Sequence, residues 1–128
     1  MSRFSHLIGS SMIVVLATAA LPAVAADHTV LQANKTFVDG STPKDKLDAI
    51  LKDEAAAKAA TLETITVKKG DTIVFTNGDT VTHHVFTSNF NEKQEPGQSS
   101  KITFSDTGDV IVRCAIHPKM KLMVKVTD

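Results

Sequence analysis

The chain has 128 residues and a mass of 13.7 kDa, enough for one small domain and too little for two. Its 14 basic residues balance 14 acidic ones, so there is no basic field to hold a polyanion, and nucleic acid or an anionic membrane surface is excluded as a principal partner. It has one cysteine, which excludes an internal disulfide.

The first 26 residues carry one charged side chain, Arg3, and an apolar run from Met12 to Leu21. Small residues follow, as Ala23-Val24-Ala25 or Val24-Ala25-Ala26. This pattern predicts a secretory signal cleaved after Ala25 or Ala26, hence an exported, periplasmic chain. The alternative is an uncleaved membrane anchor, for which the apolar core is short and alanine-rich against a span of ~20 residues. Residues 27–128 then form a single domain with 13 basic and 14 acidic residues, a net charge of −1 with histidines neutral. They keep four histidines and two methionines, Met120 and Met123, both within ten residues of Cys114.

Residues from His28 to Phe37 are expected to supply the first strands. His28 itself sits near a terminus that would fray by default. If the signal is cut after Ala25, a free amine with histidine third could instead wrap a divalent copper or nickel ion in a square-planar site. Next comes a helical signature over about residues 43–60. Ser41 or Thr42 can cap, Pro43 suits the first turn, and Leu47, Ile50 and Leu51 form a stripe running into the alanine-rich stretch to Ala60. Asp48 with Lys52, and Glu54 with Lys58, have the favourable i,i+4 order for ion pairs. The expectation is one helix of roughly four turns, covering one end of the domain, with a dedicated partner-docking element as the alternative.

From Ile65 onward the apolar period is two. Ile65 and Val67, Ile73 and Phe75, Ile102 and Phe104, Val110, Val112 and Cys114, then Leu122, Val124 and Val126 alternate with polar or outward residues, as half-buried strands do. Turn chemistry separates them at Lys69-Gly70-Asp71, Asn77-Gly78-Asp79, Pro96-Gly97 and Thr107-Gly108-Asp109. The predicted fold is all-β, an antiparallel sandwich with one inserted helix.

Cys114-Ala115-Ile116-His117-Pro118-Lys119-Met120 lies between a strand ending at Cys114 and another starting near Leu122. A thiol, an imidazole and a thioether thus converge on one loop, and Cys114 shares its strand face with Val110 and Val112, so its sulfur points inward. Soft and borderline donors of this kind favour copper. A further ligand must come from another part of the chain, and His83-His84 stands about thirty residues upstream, beyond a Gly-Asp turn.

Gly70-Asp71-Thr72-Ile73-Val74-Phe75-Thr76-Asn77, Thr82-His83-His84-Val85, Pro96-Gly97 and the Cys-x-x-His-Pro-x-Met loop together resemble the blue copper proteins, or cupredoxins, of the amicyanin, plastocyanin and pseudoazurin type. The resemblance covers residues 64–126, with a looser match over 28–37. It implies a Greek-key β-sandwich holding one type 1 copper ion. His83, Cys114 and His117 would be the three strong ligands and Met120 the long axial one. Alignment on Val85 puts His83 at the ligand position and His84 where the family has an asparagine that tethers the two ligand loops; the alternative is that His84 replaces His83 as the ligand. In the first case His84 either replaces that tether with a ring N–H or is a half-exposed polar residue. A glycine usual soon after the methionine is replaced by Lys121-Leu122-Met123. Met123 is a weaker axial candidate, because strand alternation turns it away from the face of Leu122 and Val124.

What the resemblance implies in function is an electron carrier, cycling copper between Cu(II) and Cu(I) and exchanging electrons with donor and acceptor proteins that dock near His117. The expected state is a monomer. Ile116 and Pro118 would form an apolar collar, and Lys119 and Lys121 a basic rim suited to an acidic partner. Copper delivery or storage is the alternative. An enzyme is not expected, since related multicopper enzymes need further histidine clusters and this chain has no histidines to spare.

Overall fold

The computed structural model describes residues 25–128. Apart from Ala25 and Ala26, the predicted signal segment lies outside them. The elements in order are β1 (Asp27–Ala33), β2 (Thr36–Asp39), α1 (Lys44–Lys52), α2 (Glu54–Ala59), β3 (Thr64–Lys68), β4 (Thr72–Asn77), β5 (His83–Thr87), β6 (Phe90–Gln94), β7 (Ser99–Thr103), β8 (Gly108–Cys114) and β9 (Lys121–Thr127). Strands β2-β1-β4-β7 form one sheet and β3-β9-β8-β5-β6 the other. Among these helices none is long and apolar enough to cross a membrane.

The period-two residues meet between the sheets as expected. Val30, Phe37, Ile73 and Phe75 of the first sheet pack into one cluster with Val85, Val112, Cys114, Leu122 and Val124 of the second. Phe37 and Phe75 meet edge to face, ring centroids 5.9 Å apart. Truncating a fully buried ring forfeits its transfer energy and leaves a cavity, so Phe75→Ala is expected to cost about 3–5 kcal/mol, read as a fall in the urea midpoint at unchanged slope.

The sandwich is not wholly antiparallel. β1 runs parallel to β4, and β3 parallel to β9, while the other five pairings are antiparallel. Side-chain alternation is the same in both arrangements, so the sequence pattern does not distinguish them. Strand β6 has no counterpart in the sequence reading. It is an edge strand whose residues 91–93 are all exposed, and it carries no apolar alternation to announce it.

The expected single helix is broken in two. Asp53 leaves helical geometry (φ −137°, ψ 120°), and its side chain accepts from the Ala55 N–H at 3.0 Å, capping α2. Aspartate is a poor interior helix residue and a strong cap, so its local preference overrides the continuous apolar stripe. Pro43 is the N-cap of α1 with no side-chain cap bond; the Thr42 hydroxyl donates to the Asp39 carbonyl instead. The helical ion pair formed is Lys44 to Asp48 at 3.2 Å, not either predicted pair. Ile50 and Ala57 pack on Ala33 and Val38, so the helices cover the outer face of β1 and β2 rather than an end of the sandwich.

The residues leading into β1 are not frayed. The Ala26 N–H donates to Asp71 Oδ1 at 2.8 Å, the Lys68 N–H donates to Oδ2 at 2.9 Å, and His28 Nε2 lies 3.0 Å from Oδ2. With Asp27 already paired to Thr72 in the sheet, a square-planar chelate at the terminus would have to strip the first residues from β1. His28, then the Ala26 and Lys68 amides, lower the Asp71 pKa to about 2. A folded pKa below the ordinary 3.8 means that this stabilisation is present above pH ~4 and is lost as pH falls through about 2. Asp71→Asn is therefore expected to lower stability at neutral pH and to flatten its acid dependence between those limits, as followed by circular dichroism.

Candidate metal centre

Cys114 is the last residue of β8 and His83 the first of β5, and the register pairs Val85 with Cys114. That pairing brings the start of one strand and the end of the other to the same pole of the sandwich. The loop from Ala115 to Met120 is closed by a bond from the Met120 N–H to the His117 carbonyl at 2.9 Å. It returns His117 over the pole and Met120 into the same buried core cluster as Cys114.

Three donors converge. Cys114 Sγ lies 3.6 Å from His83 Nδ1 and 3.5 Å from His117 Nδ1, and the two Nδ1 atoms are 3.2 Å apart. Among the described residues this is a group of His and Cys side chains able to hold a metal ion, all donor atoms lying within 4.8 Å of one another. An ion bound ~2.0–2.3 Å from two nitrogens and a sulfur, at angles of about 100–120°, holds those donors roughly 3.1–3.8 Å apart, so the spacing fits one ion. His83, Cys114 and Met120 are buried, and His117 is half-buried, leaving a single edge towards solvent. Burial, then His83 and Lys35, hold the His117 pKa below the ordinary imidazole value, which favours the neutral ring that a metal requires. Two imidazoles and a thiolate with a thioether on the same loop are the donor set of a single copper site.

The orientation of His83 is set by Asp79, a residue whose sequence context, Asn77-Gly78-Asp79, signals only a turn. Asp79 Oδ2 is 2.8 Å from His83 Nε2 and also accepts the Lys35 N–H at 2.8 Å, while Oδ1 accepts the Asn34 N–H at 2.9 Å. Burial alone would raise the Asp79 carboxyl, but these three donors outweigh it and keep it below the usual carboxylate range. An ionised carboxylate on Nε2 keeps the proton there and leaves the Nδ1 lone pair directed at the thiol. The same carboxylate holds the β1–β2 turn, where Asn34 (φ 49°) and Lys35 (φ 57°) both occupy the left-handed region of a two-residue hairpin loop. Asparagine tolerates that region, whereas lysine is strained there, and two bonds to one buried carboxylate offset the strain.

His84 ties the loops together with its backbone. Its N–H donates to Cys114 Sγ at 3.3 Å, and its carbonyl accepts from the Ala115 N–H at 2.9 Å. Its half-exposed ring turns away to Asn91 and makes no bond to the ligand loop. Met123 pairs with Ile111 on the outer face, opposite to Leu122 and Val124. No positive φ follows Met120, so the chain enters β9 without the missing glycine. Ile116, 49% exposed, and Val81, 38% exposed, flank this pole, with Lys119 and Lys121 exposed beside them.

No protein-family model and no curated protein matches the sequence. Solved structures do match. A copper(I) form of an amicyanin variant aligns with 19% identity and a TM-score of 0.55, over 78% of this chain and 81% of that one. A purple cupredoxin from Nitrosopumilus maritimus aligns with 18% identity and a TM-score of 0.54, over 79% and 100%. A copper-containing nitrite reductase from Thermus scotoductus SA-01 aligns with 20% identity and a TM-score of 0.55, over 80% of this chain but only 22% of the reductase. At this identity the likeness speaks for the fold, and the donor cluster speaks for the metal. The chain is thus a cupredoxin in fold, with a two-histidine, one-cysteine centre at one pole of its sandwich.

Proposed function

We propose that the protein is an exported type 1 copper carrier of single electrons, with His83, Cys114 and His117 as strong ligands and Met120 as the weak axial one. The observation that supports this most is the convergence of Sγ and two Nδ1 atoms at separations of 3.2–3.6 Å on a buried site. Bound copper would supply a one-electron Cu(II)/Cu(I) couple. The chain's part is to fix the donors so that little moves when the electron arrives. Asp79 anchors the His83 ring, the His84 N–H donates to the Cys114 sulfur, and the antiparallel β5–β8 pairing locks the two strands that carry these groups. Four protein ligands leave no position for a substrate, which favours a carrier over an enzyme. His117, half-buried between exposed Ile116 and Pro118, is the edge through which an electron would leave to a redox partner.

The test is spectroscopic. Copper-loaded protein should show intense thiolate-to-copper absorption in the orange-red, a narrow parallel hyperfine splitting in EPR and a reversible one-electron wave. A colourless product or an ordinary tetragonal spectrum overturns the reading. Ready transfer of copper to a metal-free acceptor without fast electron exchange would turn it towards delivery.

Export by a cleaved signal belongs to the same proposal, and the Asp71 contact favours one of the two cleavage points. Cleavage after Ala25 would place the new ammonium group of Ala26 on a buried carboxylate already 2.8 Å away, whereas cleavage after Ala26 removes that donor. The intact mass of exported protein is expected to begin at Ala26; a chain starting at Asp27 would contradict it.

A further inference from the structure

An open groove of about 430 Å³ runs beside the metal loop, between that loop, the β1–β2 turn and α2. Four lysines from three separate segments line it: Lys35 of the turn, Lys58 of α2, and Lys119 and Lys121 of the loop and the start of β9. Glu54 is the one acidic residue in the lining. All four lysines are exposed, and none makes an ion pair among the described residues. The groove therefore carries a net charge of +3 on a domain whose residues 27–128 sum to −1. Such concentration against the overall sign is what focuses an oppositely charged partner onto one face.

Position adds to charge. Met120, on the metal loop, lies in the groove lining together with Lys35. Lys35 is also held in place, because the Asp79 carboxylate that orients His83 accepts the Lys35 N–H. The helices thus have a second face. Ile50 and Ala57 attach them to β1 and β2, while Glu54 and Lys58 form the far wall of the groove.

We infer that this groove is the docking surface for an acidic segment of the redox partner, and that the α1–α2 insertion is there to build its far wall. The inference rests on the electron-carrier reading and deepens it. It replaces a rim of two loop lysines with a four-lysine site to which the turn and the helix each contribute one. An alternative landing on exposed Ile116 and Val81 alone would carry no charge requirement.

The experiment uses hexaglutamate as a model of the acidic segment and hexacyanoferrate(III) as a trianionic oxidant, which takes one electron from the Cu(I) protein to give hexacyanoferrate(II) and the Cu(II) protein. Lys35→Glu with Lys58→Glu leaves the loop and every proposed ligand intact. At ~10 mM ionic strength, where the Debye length is about 30 Å, the double variant is expected to be oxidised roughly tenfold more slowly. The difference should close near 1 M salt, where that length is about 3 Å. Lys46→Glu with Lys125→Glu makes the same change in net charge away from the groove and is expected to have a much smaller effect. Equal slowing in the two double variants, or slowing that persists at high salt, overturns the inference. Lys58→Glu alone, exposed on α2, provides the same readout if the strained turn at Lys35 will not accept glutamate.

In the second arm, hexaglutamate is titrated into 15N-labelled chain, both Cu(I)-loaded and metal-free. Amide shifts clustered at Lys35, Lys58, Lys119 and Lys121 support the docking surface. Shifts elsewhere, or none, overturn it. A groove that binds hexaglutamate on a chain with no reversible couple would retire the electron-carrier reading and leave the docking surface standing, so the two failures are distinguishable.

Discussion

Asp79→Ala is expected to loosen the metal centre and the fold together. The substitution leaves the Asn34 and Lys35 N–H groups and His83 Nε2–H without their shared acceptor in a site that is 8% exposed. Each stranded donor costs about 1–3 kcal/mol, and because the three share one carboxylate their losses do not simply add. A total of about 3–5 kcal/mol is expected, a large part of a small domain's stability. The effect on the metal is separate. Without the carboxylate the His83 ring loses the anchor that fixes its tautomer, and copper affinity should fall 10- to 100-fold. Urea unfolding of the metal-free chain measures the first effect, and competition with a chelator measures the second. Asp79→Asn refines the test, since it keeps one acceptor oxygen but removes the negative charge that favours the more positive oxidised ion. Its potential should rise while its fold suffers less than that of Asp79→Ala, and Asp79→Glu, with the charge restored, should bring the potential back. A potential unmoved by Asp79→Asn would reduce Asp79 to a brace for the β1–β2 turn.

Cys114→Ser and Cys114→Ala should both abolish the thiolate-to-copper absorption, but they should differ in stability. The sulfur has two roles, converging with two imidazoles and accepting the His84 N–H at 3.3 Å. Serine retains an acceptor for that N–H, whereas alanine strands it near the strand pairing that sets β5 against β8. The alanine variant is therefore expected to be less stable than the serine variant by about 1–3 kcal/mol. Equal stability would mean that the N–H finds water or another acceptor. Persistence of the absorption in either variant would mean that Cys114 is not the ligand.

The features legible in the primary structure were those carried by neighbours in the chain. Cys114, His117 and Met120 lie within seven residues, and strand alternation with Val110 and Val112 already turned the sulfur inward. The inward faces of β3, β4, β7, β8 and β9 followed from the same period, and burial of Ile73, Phe75, Val112, Leu122 and Val124 agrees with it. The structure departs from the apolar pattern where a local preference is strong or the pattern is silent. Asp53 capped a helix that apolar spacing alone would have continued, and the edge strand β6 had no alternation to detect.

Asp79 shows the limit most clearly. It stands in an Asn-Gly-Asp turn that advertises only a reversal of the chain, yet its carboxylate joins a metal-facing histidine to two amides 44 and 45 residues away. No periodicity encodes such a contact, because it depends on β1 lying beside β4 in parallel register, with Gln32 opposite Asn77. The four-lysine groove is of the same kind, since Lys35, Lys58 and the loop lysines share a wall only once the helices have packed on the outer face of β1 and β2. Local order, then, was enough to name the donor chemistry and the faces of the strands: residues two, three or six apart have nearly fixed relative directions. What orients the donors, and what surrounds them with charge, arose from contacts between segments dozens of residues apart, where sheet register and helix packing set the distances.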